Sequence, residues 1–325
     1  MTTVASTDRL AMRLPRLGLL TRLRSSDRLA HPLAAAFGLL VLCITAMLAW
    51  QLWSNSVLPR QRFGWGFLLR QVWDPVADEF GAAAFIYGTL VTSVTALLVA
   101  VPCGVGVAIF LAELAPRRVS DGAALLVELL AAVPSVIYGL VGVSILVPLM
   151  RTWVQPVLRS LTGGFFLFSG PAYGVGFLTA GLVLAIMVIP FIVSVGREVL
   201  LAVPREQREA ALALGSTKWE TTWRVVLPYA RPGIYGAIFL ALGRALGETM
   251  AVTMVIGNRP EVARSLFAPG YSMAAVIANE FTEATGDLYL QSLIEVGLVL
   301  FALTMVINAV ARLLIAATSR KGSGT

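Results

Sequence analysis

Apolar residues in this chain do not recur at the spacing of a half-buried helix or strand; they come in long, nearly unbroken runs. Six windows are apolar over roughly the 20 residues that a helix needs to cross a bilayer: 33–53, 85–111, 122–150, 173–195, 234–256 and 293–315. The first two contain no Asp, Glu, Lys or Arg. In hydrocarbon each backbone N–H and C=O must be paired within the segment, so runs of this length form helices. The pattern predicts an all-α integral membrane protein with six transmembrane helices. The uncharged stretch between Ser160 and Gly196 is too long for one helix. Gly163-Gly164 and Ser169-Gly170-Pro171 break it, leaving 165–168 as an interfacial stub before the fourth span.

Composition agrees. The 325 residues are 58% hydrophobic and 13% charged, about half the charged fraction that covers a soluble domain. The net charge of +7 lies in short basic blocks between apolar runs, which is not the footprint of a nucleic-acid partner and leaves membrane lipid as the surrounding medium. With the N-terminus inside, the inner segments carry six arginines before the first span and Arg117 with Arg118. They also carry Arg197, Arg205, Arg208, Lys218, Arg224 and Arg231, then Arg312, Arg320 and Lys321. The outer segments hold only Arg60, Arg62, Arg70, Arg151, Arg159, Arg259 and Arg264. The excess places both termini in the cytoplasm. The chain then divides into a basic tail (1–31), a first span with its outer loop (32–81), a core (82–317) containing the inner loop 197–231, and a short tail (318–325). Residues 1–31 interleave arginines with leucines and read either as an amphipathic helix on the inner leaflet or as a basic tail that enforces topology.

Catalytic chemistry has little to stand on. His31 is the single histidine, and Cys43 and Cys103 sit inside apolar runs as small hydrophobes, so no metal site and no disulfide framework is expected. The only lysines, Lys218 and Lys321, do not follow the Gly-rich pattern of a nucleotide-binding loop. The chain is not expected to be an enzyme or to bind a cofactor, and any ATP-Mg belongs to a partner.

The inner loop carries most of the functional signal. Pro204 suits the start of a helix over 205–214 that stops at Gly215. A second helix opens at Thr217-Lys218-Trp219-Glu220, the S/T-x-x-E pattern of a capping box, and ends before Pro228. Trp219, Trp223 and Val226 are spaced to share one face. A loop that merely joins two spans needs a few residues; two capped helices suit the docking of a soluble partner.

Glu209-Ala210-Ala211, then Gly215, then Val225-x-Leu227-Pro228 resembles the EAA motif of binding-protein-dependent ABC-importer permeases, with Val in place of the usual Ile. The stretches 80–93, 128–142, 240–258 and 265–281 resemble the PstC-type permease branch of phosphate importers. The resemblance implies the type I ABC importer permease (MetI-like) fold in a bacterial cytoplasmic membrane. It also implies a homologous PstA-type permease, a PstB-type ATPase dimer and an extracytoplasmic PstS-type phosphate-binding protein as partners. Glu209, Ala210, Ala211, Gly215, Trp219, Leu227 and Pro228 would couple to the ATPase.

Within the fifth span, Arg244 and Glu248 are expected one helical turn apart on one face. A charge in a span marks a pathway or a partner. The pair therefore reads either as a lining of an anion path, with Thr249 and Thr253 beside it, or as two charges that neutralise each other. Threonine in a span also commonly bonds its own backbone. Gly243 and Gly247 form a G-x-x-x-G pair that admits a close neighbour. Pro134, Pro148 and Pro190 are expected at kinks or ends, and Asn258, Asn279 and Glu280 on the outer face, where a binding protein could dock. Three rivals remain: a permease for sulfate or molybdate, a proton-driven transporter using Glu128, Glu248 or Glu295, and an intramembrane hydrolase, for which the spans offer no nucleophile with a base.

Overall fold

The computed structural model describes residues 17–321, and side chains from Ala30 to Ala316. Residues 1–16 of the basic tail and 322–325 lie outside the described part. Among the described residues all regular structure is helical, and six helices are long and apolar enough to cross a membrane. The chain divides into two compact units, Met1–Gln51 and Leu52–Thr325.

The first unit is the body of α1 (Leu17–Ser54). Leu39, Leu42, Met47 and Trp50 are each more than half exposed, so the helix meets its surroundings with an apolar surface suited to lipid.

The second unit contains α2 (Val57–Phe63), α3 (Ala83–Leu114), α4 (Arg117–Ala131), α5 (Ser135–Leu161) and α6 (Phe177–Leu201). It continues through α7 (Arg205–Ala213), α8 (Lys218–Leu246), α9 (Met250–Ile256), α10 (Met273–Glu280) and α11 (Asp287–Lys321). A turn over Phe166–Phe168 fills the place of the expected stub.

α6 is the central helix. Ala180, Leu184, Val188 and Ile192 on it pack with Ala96 and Ala100 of α3 and with Ala241 and Ala245 of α8. Small residues let these backbones approach where lipid supplies no hydrophobic drive. A Cβ on Gly181 would lie 2.6 Å from Thr95 Cγ2. At the far end from α7, aromatic rings bind α2, α10 and α11 together, with Trp73 edge-on to Phe80 and Phe85 at 4.9 Å each. Here Glu280 accepts hydrogen bonds from Trp73 Nε1 (2.7 Å) and the Tyr289 hydroxyl (2.8 Å), and Asn279 donates to the Tyr271 hydroxyl (3.0 Å). Asn279 and Glu280, both half-buried, thus make their hydrogen bonds within the chain at the end away from the elbow.

Two crossings differ from the expected single helices. The third, expected over 122–150, is split at Ala132–Val133–Pro134 between α4 and α5. Pro134 has no N–H and holds the preceding residue away from the helical region. Glu128 of α4 lies with Val193, Ser194 and Arg197, whereas Gly142 of α5 lies against Val183. The split therefore falls beside the middle of α6.

The fifth crossing starts earlier and stops earlier than 234–256. α8 runs on through Pro228 and Pro232 instead of ending before Pro228. A wide turn over Thr222–Val226 makes this possible: Leu227 N–H donates to Thr222 O, five residues back, and the ladder passes the proline without a blocked donor. α8 then ends at Leu246, and Gly247-Glu248-Thr249 separates it from α9.

Candidate functional site

The elbow is built as the loop sequence requires. α7 ends in a left-handed Gly215 (φ +88°), with Gly215 N–H on Leu212 O (3.0 Å) and Ser216 N–H on Ala211 O (3.2 Å). These two bonds satisfy the last carbonyls of the helix. The capping box forms: Thr217 Oγ1 accepts from Glu220 N–H at 3.2 Å, and Glu220 Oε2 accepts from Thr217 N–H at 2.9 Å. Glu209, Ala210, Gly215 and Trp219 are exposed, Ala211 is buried, and Leu227 and Pro228 are half-buried inside α8. The rings of Trp219 and Trp223 stack with centroids 5.9 Å apart. Val226, expected on their face, instead packs with Ala108, Leu200 and Ala230. The wide turn inserts one residue, about 100° of helix rotation, and sends Val226 inward.

α7 is fastened to the membrane helices by an ion pair that sequence reading missed. Arg208 Nη2 lies 2.8 Å from Glu113 Oε1, and its Nε is 3.3 Å from both carboxylate oxygens. The same guanidinium donates to Leu200 O at 2.7 Å and to Val203 O. Arg208 is 19% exposed and Glu113 10%, so the pair is largely removed from water and its geometry matters. Beside it, Arg197 reaches Asp121 Oδ1 (3.5 Å) and Ser120 Oγ (3.4 Å), while Ser120 Oγ donates to Leu111 O (2.8 Å). One cluster therefore ties α7 to the ends of α3, α4 and α6, around an open, strongly polar groove of about 670 Å³. Only one sequence signal pointed here: Glu113 is the first acidic side chain after a long uncharged run.

In the middle of the unit the two split crossings face each other. Gly139 of α5 packs on Met254 and on Ala251 Cα of α9, and the Tyr138 hydroxyl donates to Leu130 O across the first break (2.8 Å). Arg244 is exposed in the last turn of α8, within electrostatic reach of the Tyr138 hydroxyl. The expected turn-apart pairing of Arg244 with Glu248 is not made. α8 ends between them, and Glu248 Oε1 instead accepts from Ala251 N–H (3.3 Å) at the start of α9. Thr249 sits at the break with its hydroxyl on Gly247 O (3.3 Å), and the Thr253 hydroxyl donates to Thr249 O (2.7 Å). A Cβ on Gly243 would meet Asn308 Oδ1 of α11 at 4.0 Å, and Gly247 faces its own helix, so among the described residues the glycine pair is not closely packed. Irregular backbone at membrane depth is tolerated where it is buried in protein or lines a cavity.

Six helices long and apolar enough to cross a membrane, with a capped elbow fastened to their ends, have the features of a membrane permease subunit. The model of the family "binding-protein-dependent transport system inner membrane component" matches residues 104–321, and the chain belongs to that family. The "phosphate transport system permease protein PstC" of Mesorhizobium japonicum is 47% identical over 306 residues, covering 93% of this chain and 94% of the relative. The "probable phosphate transport system permease protein PstC" of Methanocaldococcus jannaschii is 37% identical over 79% of this chain and 83% of its own length. Among solved structures, a chain of a bacterial alginate ABC transporter aligns with a TM-score of 0.56 at 16% identity, over 93% of this chain and 96% of that one. That likeness concerns the fold, which is the type I ABC importer permease fold. The chain is a non-catalytic, multi-pass inner-membrane component of an ABC importer. Its class works with an ATPase, a substrate-binding protein and a second permease.

Proposed function

We propose that this chain is the PstC-type permease of a phosphate importer, with both termini cytoplasmic. In this reading it pairs with a PstA-type permease, receives phosphate from a PstS-type binding protein outside, and is driven by a PstB-type ATPase dimer that holds ATP and Mg²⁺. The observation that carries the reading is the pair of facing breaks, 132–134 and 247–249, with Arg244 exposed beside them. A guanidinium presents a planar fork of donors to a tetrahedral oxyanion, and the loosely packed Gly243 and Gly247 suit an approach of the sister permease.

Glu248 shapes the break by capping α9, Thr249 lies at it, and Thr253 holds the first turn after it. On the elbow, Glu209, Ala210, Gly215 and Trp219 form the surface offered to the ATPase, while Ala211, Leu227 and Pro228 hold its shape. ATP binding draws the two elbows together, and the Arg208–Glu113 cluster passes that motion to α3 and α6, opening the path outward. The tails 1–31 and 318–325 stay inside, and the core 82–317 carries transport.

Phosphate uptake into vesicles holding the assembled transporter tests this. Uptake should require ATP, the ATPase and loaded binding protein, resist excess sulfate and molybdate, and disappear in Arg244→Ala with assembly intact. Uptake without the ATPase would move the proton-driven reading to the front. Intact uptake in Arg244→Ala would remove Arg244 from the path.

A further inference from the structure

On the side of the second unit away from the elbow, a groove of about 550 Å³ runs between α2 and α11. Its floor is apolar and is supplied by Leu298, Ala302, Leu303 and Val306 along one side of α11. Its mouth is polar. Arg60 Nε lies 3.7 Å from Glu295 Oε2 and donates to Ser56 O at 2.9 Å, and the guanidinium sits 3.7 Å over the Trp53 ring. Trp65, also at the mouth, is 88% exposed.

The dimensions of the groove identify an occupant. Glu295 to Val306 spans eleven helical steps, about 16 Å, close to half the roughly 30 Å hydrocarbon thickness of a bilayer. The groove therefore runs from the level of the headgroups to the level of the midplane. Tryptophans stand at the headgroup level, where such rings settle in membrane proteins. Its volume is that of a small-molecule site, and a packed helix is about 10 Å across. The single cation at the mouth keeps donors beyond those given to the Ser56 and Trp53 carbonyls.

We propose that this groove is a binding site for one diacyl glycerophospholipid of the leaflet opposite the elbow. One acyl chain lies along 298–306, and the phosphate rests on Arg60. Arg60 makes the mouth selective for a headgroup with a phosphate over an uncharged one, since a guanidinium donates strong charge-assisted bonds to phosphate oxygens. Glu295, 3.7 Å from Nε, holds that side of the guanidinium, so the phosphate takes the remaining donors on the side away from it.

The test uses the assembled transporter, stripped of lipid and then incubated with phosphatidylglycerol or with diacylglycerol of the same chains. Bound lipid is counted by native mass spectrometry. Wild type should retain phosphatidylglycerol in preference to diacylglycerol. Arg60→Gln should weaken phosphatidylglycerol retention by about tenfold or more, the worth of a charge-assisted hydrogen bond, and leave diacylglycerol unchanged. Ala302→Trp should fill the groove and reduce both. A phospholipid with a photoreactive acyl tail should label Leu298 to Val306 in wild type; this readout and Arg60→Gln decide the matter if Ala302→Trp does not assemble. Equal retention in wild type and Arg60→Gln, labelling elsewhere on the surface, or a helix of the second permease filling the groove would each overturn the proposal.

Discussion

Arg208 and Arg244 each stand near a glutamate, and the chain treats the two differently. Arg208 meets Glu113 across 95 residues of sequence, in a site that excludes most water and adds two backbone carbonyls to the contact. Arg244 has Glu248 four residues away and does not pair with it, because the helix that would bring them together ends at Leu246. The distant pair fixes an element in place, whereas the near pair is separated by a break that leaves its arginine exposed. Sequence proximity measured neither contact. The near pair was decided by a break in the backbone between its members, the distant one by how separate helices come together.

The largest effect that would break this contrast lies at the elbow. Arg208→Ala leaves the Glu113 carboxylate largely buried without its partner, at a cost of about 3–5 kcal/mol, and should abolish ATP-driven uptake; thermal unfolding and vesicle uptake measure both. Exchanging the two residues (Arg208→Glu with Glu113→Arg) should recover part of the stability, and no recovery would mean that the Leu200 and Val203 carbonyls do most of the holding. Next in size, Thr217→Ala removes the cap that starts α8 and should cost about 1 kcal/mol in a denaturation curve. Trp223→Ala, which unstacks an exposed pair, should cost about 0.5–1.5 kcal/mol of permease stability, read from a denaturation curve. The smallest expected quantity is a coupling. In a double-mutant cycle on uptake rate, Arg244→Lys and Glu248→Gln should add to within about 0.5 kcal/mol, because no ion pair joins them. A larger coupling would mean that they meet in another state of the transport cycle.

Most of the fold was legible because lipid imposes it. Six apolar runs gave six membrane helices, and the capping box at Thr217 and the stop at Gly215 formed where the residue types required. The misses share one cause. Hydropathy averages over a window and does not register a single irregular turn, so 122–150 and 234–256 read as continuous although each contains a break. The same blindness hid the wide turn at Thr222–Val226 and with it the inward rotation of Val226. Of the site, the elbow residues were readable from local spacing. The Arg208–Glu113 pair was not, because it depends on how the ends of α3 and α6 are arranged in space.

The wide turn in α8 also makes residue count itself a specification. Elbow and Arg244 are carried by one continuous helix from Lys218 to Leu246, so the compass bearing of Arg244 relative to the elbow is set by the number of residues between them. Deleting one residue from 222–226 would leave composition and hydropathy almost untouched. It would swing everything beyond by about 100°, turning Arg244 away from Tyr138. Exchanges of side chain in this segment should therefore be forgiven far more readily than a change in its length.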